Sequence, residues 1–481
     1  MFLWWTSLVP ATYSVMDLGV VDYGGGRQVT LAGHGQQQGR GGSDGTSVAD
    51  LTGQRDGDPD VAVTLTARRG TIRLGGGRTT EGYTLNGRSP GPTIRAVKGE
   101  LVEVTLVNRD VEDGLTLHWH GVDVPNAGDG VAGVTQDAVA VGERYVYRFV
   151  VPDSGTYWYH SHQVSSEQVR RGLFGAFVVE PADGPATADP ADDVEAVVHT
   201  YDGVRTVGGR AGTTALDRPA GSELRVRVVN TDNGALRAWV SEGPYRVLAV
   251  DGTEVNGPTE VRGRTVVVPA GGRVDLGIVV PDGGTRVDLG ANAALVVRAD
   301  GAAPPASPEP LEELDLLSYG AAGPADITAA DVKNADRVFR YDIGRRPGFL
   351  DGRPGLWWTV NGKLFPEAPM YVVEEGDLVV MTISNQSGDA HPMHLHGHHA
   401  LVLSRNGEQA TGSPWWVDSL QVADGESYVV AFRADNPGVW MFHCHNLPHA
   451  VEGLVAHVVY AGVTEPYRVG DPGDGPRNQP E

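Results

Sequence analysis

Three segments of the chain repeat one order of strands and turns, and this repetition limits the fold more than any other feature. Residues 83–108 and 358–385 each contain a strand, an Asn-Gly turn, a Pro-bearing stretch, a Gly-acid turn and a second strand. Residues 142–162 match 425–445 almost position by position, and the middle segment carries weaker copies. Runs such as 101–107 alternate with period two, which is typical of strands in Greek-key β-sandwiches. We therefore predict an all-β chain of three consecutive sandwiches.

Stretches rich in glycine, proline and small polar residues separate these segments. The 66 glycines and 31 prolines fit many short strands joined by turns, and a hydrophobic fraction of 40% is enough for packed cores. The composition predicts sandwiches at 60–182, 190–330 and 335–465, an apolar segment and flexible linker at 1–59, and a tail at 466–481 that is disordered beyond Gly470.

The apolar residues 1–21 leave two interpretations open. Pro10 and Asp17 interrupt them, and they contain no basic start and no clear cleavage site, which argues against a standard signal peptide. They are also marginal as a membrane-spanning helix, which needs about 20 apolar residues. The segment is either buried or interfacial in the folded protein, or it is the end of a membrane region, so membrane association by residues 1–21 stays an alternative.

The charge and the cysteine content narrow the classes of partner. A net charge of −23 argues against nucleic acid and anionic membrane surfaces, and it favours solubility. A single cysteine excludes an intrachain disulfide, so folding does not rely on an oxidising compartment.

Four motifs each place two histidines one residue apart, and they occur in the first and third segments only. Residues i and i+2 of a strand face the same side, so each motif predicts a pair of imidazoles pointing together. Eight imidazoles converging from two sandwiches could hold three copper ions at the interface between them. The pairs are His118 and His120, His160 and His162, His394 and His396, and His443 and His445.

The only cysteine, Cys444, lies between two of these histidines, and its thiol is predicted to point to the opposite side of the strand. His391 and His449 remain as further ligands. One thiolate with two imidazoles is the trigonal set of a blue-copper electron-transfer site. The weak axial position falls at Leu454, which cannot coordinate, so we expect a comparatively high reduction potential.

These motifs resemble the four copper signatures of the multicopper oxidases, specifically three-domain, laccase-like members of bacterial type, over about residues 60–465. The resemblance implies cupredoxin-like domains and four copper ions per chain: one type 1, one type 2 and two type 3. Carried over by position, type 1 copper would be bound by His391, Cys444 and His449, and type 2 copper by His118 and His394. One type 3 copper would be bound by His120, His160 and His445, and the other by His162, His396 and His443.

The resemblance also implies an activity, in which four one-electron oxidations of phenols or aromatic amines are coupled to reduction of O2 to water. Electrons from a small reducing substrate would enter at the edge of His449 and pass through Cys444 to its covalent neighbours. Asp129 matches the acid that relatives place near type 2 copper, which implies a proton-relay role. The alternative is an ordinary turn residue before Gly130.

Two other functions stay open. A metal oxidase acting on Fe(II) or Cu(I) shares the same copper sites; the six scattered methionines lower the Cu(I) case, whereas abundant acids leave Fe(II) open. A non-catalytic copper-binding protein is disfavoured because storage needs no Cys444 link between centres. Trp415, Trp416 and Asp418 are interpreted as lining the substrate pocket or packing in the core. We expect an extracytoplasmic or secreted location.

Overall fold

The computed structural model describes residues 2–26, 45–241, 243–299, 301, 304–471, 473 and 475–481, and most of its secondary structure is strand. The all-β prediction is confirmed. The short α-helices among the described residues are Phe2–Trp5, Ser165–Arg170, Ala329–Lys333 and Leu447–Val451, and the 3-10 turns are Val15–Asp17, Val48–Asp50, Asn126–Gly128 and Pro190–Asp192.

The first sandwich packs two sheets face to face. In strand order, one contains Arg144–Val150, Leu101–Asn108, Val61–Gly75 and Arg78–Leu85, and the other contains Ile94–Val97, Phe174–Glu180, Gly155–His160 and His118–His120. Alternate residues of Leu101–Asn108 are buried, as the period-two pattern predicts, and they pack with Trp119 and Phe149. Burial of each such aliphatic side chain stabilises the fold by about 1.5–3 kcal/mol.

The middle sandwich has the same two-layer plan. One sheet runs through Arg210–Ala211, Val204–Val207, Asp193–Tyr201, Glu223–Asn230, Arg273–Val279, Arg246–Val250 and Thr253–Glu254. The other runs through Thr213–Asp217, Ala294–Arg298, Thr285–Asp288, Leu236–Ser241, Arg264–Val268 and Glu312–Glu313. Buried polar residues accompany the apolar core here, notably the arginines 225, 227 and 273.

The third sandwich contains the strands of the last two histidine motifs. One sheet runs through Val20–Asp22, Pro369–Val373, Val455–Tyr460, Val439–Cys444, His391–Leu395 and Ser419–Val422. The other runs through Arg353–Val360, Arg337–Leu350, Leu378–Asn385, Ser427–Arg433, Ala400–Arg405 and Glu408–Gln409, with Gly25–Gly26 and Trp416–Val417 paired at its sides.

The N-terminal residues complete this third sandwich. Val20–Asp22 lies parallel to Pro369–Val373, and Thr12–Tyr13 pairs with Val469–Gly470 in a small separate ladder. The indole of Trp4 donates a hydrogen bond to the Gly352 carbonyl at 3.0 Å. Within the described ranges, we find no helix with the length and apolar character needed to cross a bilayer.

The predicted linker falls partly outside the described residues, which omit 27–44. Beyond that gap, Thr46–Ser47 pairs with Val463–Thr464, so this part of the segment is also bonded to the third sandwich.

Residues 475–481 do not form the disordered tail that their composition predicts. Asn478 is fully buried, and its side chain donates to Asp137 and accepts from the Ala138 amide. The Gln479 carbonyl accepts the amide proton of Val164, in the loop that follows the second histidine pair. Backbone and side-chain hydrogen bonds therefore hold the tail against the first sandwich, although its sequence is polar and rich in proline and glycine.

Candidate metal centre

Two matching pairs of strands place the histidine motifs. His118–His120 lies antiparallel to Gly155–His160, so that His118 is opposite His160. His391–Leu395 lies antiparallel to Val439–Cys444, so that His394 is opposite His443. The repeated sequence motifs therefore form equivalent structures in the two sandwiches. In each, neighbouring strands present two imidazole pairs to one face.

The structure brings the eight paired histidines together in one buried cluster between the first and third sandwiches. Ring centroids are 3.9 Å apart for His118 and His396 and 3.7 Å apart for His120 and His394, which joins the two sandwiches. In each of three groups of histidines, the ligand atoms lie within 4.8 Å of one another. These groups are His118, His394 and His396; His118, His120 and His160; and His162, His396 and His443. His445 lies against His120 and His160, with centroids 4.9 and 5.4 Å away.

Several nitrogens of this cluster have no hydrogen-bond partner among the described residues. They are His120 Nδ1, His160 Nε2, His443 Nδ1, and both ring nitrogens of His162 and His445. An unsatisfied buried polar group costs about 1–3 kcal/mol, so a protein does not normally collect several in one place. Burial, followed by the neighbouring histidines, lowers the pKa of His160, His162 and His445, which leaves neutral imidazoles with free lone pairs. The donor set therefore fits copper.

Backbone carbonyls fix the orientation of two facing histidines. His118 Nδ1 donates to the Asp129 carbonyl and His394 Nδ1 to the Asp418 carbonyl, each at 2.9 Å. The Nε2 atoms of these rings then face each other at 3.4 Å across the two sandwiches. A donor bond from one ring nitrogen leaves the other nitrogen free to bind a metal. The pair that the resemblance assigns to type 2 copper is thus preoriented.

Asp129 lies inside this arrangement and is almost completely buried. Its carboxylate oxygens lie 3.1–3.2 Å from His396 Nδ1, and Oδ1 lies 3.1 Å from His118 Nδ1. The following glycine is required by the turn, because a Cβ on Gly130 would lie 1.7 Å from the Leu117 carbonyl oxygen. Asp129 is therefore a turn residue in the backbone and a contact of two candidate ligands in its side chain.

His391, Cys444 and His449 form a second, separate group. Cys444 Sγ lies 3.5 Å from His391 Nδ1 and 3.8 Å from His449 Nδ1, and the two Nδ1 atoms are 3.2 Å apart. Burial raises the pKa of the Cys444 thiol, so a bound cation is needed to hold the thiolate there. His391 and Cys444 are buried, whereas His449 is partly exposed. His449 is therefore the side of this group that a molecule from solvent can touch.

The surroundings of the second group fix its rings. His391 Nε2 is 2.8 Å from the Ser387 hydroxyl, and His449 Nε2 is 3.1 Å from the Asn446 side-chain amide. The Trp358 ring packs on His449 with centroids 4.4 Å apart. Leu454 is fully buried and its carbonyl accepts the Cys444 amide proton at 3.1 Å.

Sequence reasoning missed a charged connection to the cluster. Asp418 is buried, and its Oδ1 lies 3.0 Å from His120 Nε2 and 2.7 Å from Arg273 Nη1. Arg273 belongs to the middle sandwich, where no histidine spacing draws attention to it. Trp415 and Trp416 line one small cleft together. Trp415 also packs near Tyr428, and Trp416 also lines an open cleft of about 400 Å³ with His399.

Glu481 was also missed, because the tail was predicted to be disordered. Its side chain is mostly buried, with Oε1 3.1 Å from His443 Nδ1 and Oε2 within hydrogen-bond distance of the Ser165 hydroxyl. Burial raises the pKa of this carboxyl group to about 8. No spacing rule in the sequence could have joined residue 481 to a histidine pair.

Two further described histidines, His398 and His399, lie outside both groups. His398 Nε2 is 2.7 Å from the Tyr460 hydroxyl, and His399 lies between Asp123 and Asp418 at 3.3 and 3.4 Å. Glu452, three residues after His449, accepts a hydrogen bond from the Trp358 indole at 2.8 Å.

Known proteins match both the sequence and the fold. Two sequence models described as multicopper oxidase match residues 66–184 and 337–462, about half of the chain together. Multicopper oxidase MmcO of Mycobacterium tuberculosis is 28% identical over 460 residues, covering 83% of this chain and 87% of that protein. Laccase-2 of Fomitopsis schrenkii is 28% identical, covering 77% and 84%. The crystal structure of a multicopper oxidase from Pseudomonas thermotolerans superimposes with a TM-score of 0.68 at 28% identity, covering 83% and 99%. Relatives named iron transport multicopper oxidase also match.

Proposed function

Because the chain belongs to the multicopper oxidase family, we propose that it oxidises phenolic or aromatic-amine donors one electron at a time and reduces O2 to water. Four copper ions, one at the cysteine group and three in the histidine cluster, supply the redox chemistry when bound. One observation carries the proposal: a single strand joins the two groups. Cys444 contacts His391 and His449 on one side, while His443 and His445 enter the cluster on the other.

The chain provides an entry point for electrons at His449. This ring is partly exposed and packs against Trp358, so an aromatic donor can approach it without displacing a buried residue. Cys444 is fully buried and is covalently bonded to both of its neighbours, so the route inward excludes solvent. The partly exposed His449 ring therefore contacts the donor, whereas the buried Cys444 thiol passes the electron into the interior.

The charges near His449 favour an organic donor over a metal ion. The carboxylates whose charges act most on His449 are Glu452 and Asp389. Glu452 accepts a hydrogen bond from Trp358, and Asp389 lies 3.6 Å from the guanidinium of Arg345. A Fe(II) or Cu(I) donor requires free oxygen or sulfur ligands, whereas both of these carboxylates already have partners.

At the cluster, protein groups hold protons and exclude bulk water. The Asp129 backbone carbonyl accepts the N–H of His118, and its carboxylate accepts the N–H of His396. We propose this buried carboxylate as the proton relay for O2 reduction. The mostly buried side chain of Glu481 lies against His443, where the tail crosses the edge of the cluster. Burial and the neighbouring histidines keep the pKa of the His396 and His443 imidazoles low.

An oxygen-uptake screen on copper-loaded protein tests the proposal. We expect uptake with phenols and aromatic amines, an intense blue absorption band, and about four coppers per chain. Fe(II) and Cu(I) serve as competing donors in the same screen. A kcat/KM for Fe(II) far above that for every organic donor would replace the proposal with a metal oxidase, and blue protein without O2 uptake from any donor would indicate copper storage.

The metal-oxidase alternative keeps some support, because relatives named as iron transport oxidases match over most of the chain. Those names describe the relatives themselves, and in this chain the pairing of Glu452 and Asp389 argues against a metal donor. An extracytoplasmic or secreted location stays a prediction, as does membrane association by residues 1–21.

A further inference from the structure

We propose that the middle sandwich, which carries none of the candidate ligands, positions His120 and His394 through a buried contact of Arg273 and Asp251 with Asp418. The inference rests on copper binding in the proposed function and does not depend on the class of donor. It makes Arg273, Asp251 and Asp418 positioning residues, since they act through the histidines.

Asp418 holds one histidine of each outer sandwich. Its carboxylate Oδ1 lies 3.0 Å from His120 Nε2, and its backbone carbonyl accepts His394 Nδ1 at 2.9 Å. Both rings therefore donate the nitrogen that faces Asp418. His120 Nδ1 is left without a partner among the described residues, and His394 Nε2 is left facing His118 Nε2. A single residue thus selects which nitrogen of each ring is available to a metal.

Ser419 supports the same contact. Its hydroxyl lies 3.0 Å from His120 Nε2 and donates to Asp418 Oδ1 at 3.0 Å. The side chains of Asp418 and Ser419 therefore converge on one ring nitrogen. A small displacement of these two residues would turn the His120 ring.

The middle sandwich fixes Asp418 and Ser419 through the side chain of Asp418 and through the backbone amides of both residues. Arg273 donates two parallel hydrogen bonds to Asp418, from Nη1 at 2.7 Å and from Nη2 at 2.5 Å. Its Nε donates to the Thr156 carbonyl of the first sandwich at 3.0 Å, so the guanidinium cannot rotate. Asp251 Oδ2 accepts the backbone amides of Asp418 and Ser419 at 3.3 and 3.1 Å. A two-point arginine–carboxylate contact fixes orientation as well as distance.

The middle sandwich also touches the cluster directly. A Cβ added to Gly271, two residues before Arg273, would lie 2.6 Å from His120 Cε1 and 3.0 Å from His445 Cδ2. The backbone at this glycine has φ of +79°, which most side chains disfavour. The loop that leads into Arg273 is therefore shaped to approach the histidines closely.

The chain supplies its own control in Arg227. This residue lies in the neighbouring strand of the same sheet, is as deeply buried as Arg273, and bonds to Asp193 and Asp275. It also reaches Thr156, through the hydroxyl group. In the described part of the chain, neither Asp193 nor Asp275 is bonded to a cluster histidine. Loss of Arg227 therefore removes a comparably buried ion pair within the middle sandwich, and a hydrogen bond to the first sandwich, without touching Asp418.

The experiment compares Arg273→Gln, Arg273→Lys and Arg227→Gln as copper-loaded full-length proteins in the resting state. The readouts are copper per chain, the type 2 copper EPR signal, azide affinity and thermal unfolding, with the KM for O2 measured separately. For Arg273→Gln we expect altered type 2 EPR parameters and about a 10-fold or larger loss of type 2 copper affinity, with the blue band unchanged. Arg273→Lys should lie between this variant and the unchanged protein, and Arg227→Gln should lose thermal stability with an unchanged EPR signal.

An unchanged EPR signal and copper content in folded Arg273→Gln would overturn the proposal, as would the same spectral change in Arg227→Gln. If Arg273→Gln does not fold, Arg273→Lys decides, because it keeps the positive charge but loses the two-point contact. An unchanged spectrum in that variant would also overturn the proposal. Failure to oxidise phenols would not affect these resting-state measurements, so it would reject the donor class alone.

Discussion

The middle and third sandwiches share one plan but satisfy their buried polar groups in opposite ways. In the middle sandwich, the buried arginines 225 and 227 are paired with carboxylates, notably Asp275, which also accepts the Thr156 hydroxyl. The third sandwich instead buries a thiol and several imidazoles whose partners within the described residues are incomplete. The buried arginines 225 and 227 are therefore neutralised by carboxylates of the same sandwich, whereas the buried imidazoles and thiol of the third depend on groups that the chain itself does not supply. Four changes test this contrast.

Replacing Cys444 with serine should have the largest effect. A serine hydroxyl does not replace the thiolate, so we expect loss of the blue band. Donor oxidation should decrease more than about 100-fold, which exceeds the effect of changing a residue that only contacts a ligand. The eight-imidazole cluster should still bind copper, because Cys444 points away from it. Metal analysis and absorption spectra check this. Donor oxidation at the unchanged rate would mean that electrons do not travel along this strand.

Removing copper should destabilise the outer sandwiches and leave the middle one nearly unchanged. At free copper about 1,000-fold above the dissociation constant, binding stabilises the folded state by about 4 kcal/mol. Hydrogen exchange with and without a chelator should show faster opening in His118–His120 and Val439–Cys444, because their imidazoles lose their metal partner. Glu223–Asn230 of the middle sandwich is the internal control. An equal increase of hydrogen exchange in this strand would contradict the difference between the middle and third sandwiches.

Glu465, beside the third sandwich, gives a pH-dependent test. It accepts the Ser14 hydroxyl at 2.6 Å, and burial raises its pKa from 4.5 to about 8. Between those values the folded protein holds a proton that the unfolded chain has released, so stability should fall as pH rises. The loss between pH 5 and 7 should be about 3 kcal/mol.

Glu465→Gln should flatten this dependence, which urea unfolding at the two pH values can measure. Glu408→Gln, at an exposed position of the third sandwich, is the matched control and should leave the slope unchanged. An equal slope in Glu465→Gln and the unchanged protein would show that this carboxyl group is not the source.

Changing Leu454 to methionine should have the smallest effect. The side chain is buried beside Cys444, and a thioether there would stabilise Cu(II) relative to Cu(I). A tenfold preference corresponds to a decrease of about 59 mV in a one-electron potential, which redox titration of the blue band can detect. Leu420→Met, a buried change elsewhere in the same sheet, is the control. An unchanged or higher potential in Leu454→Met would contradict the axial position.

The ligand strands were predictable because strand periodicity and an internal repeat both act over short distances. Pairs such as His118 and His120 need only the two-residue alternation, and the repeat indicates that the two halves of the cluster correspond. Arg273 and Asp418 were not predictable, since they are 145 residues apart and neither has a characteristic spacing. The tail failed for another reason: its composition is typical of disorder, but hydrogen bonds to Gln163 and Asp137 hold it in place.

The pairing of Val20–Asp22 with Pro369–Val373 has a consequence for assembly during synthesis. At about 5–20 residues per second, the early strand leaves the ribosome tens of seconds before its neighbour exists. Until then the early strand is unpaired, and unpaired strand edges invite pairing with other chains. This high contact order makes the last sandwich the slow step, and crowded translation should lower the yield of folded protein through that edge first.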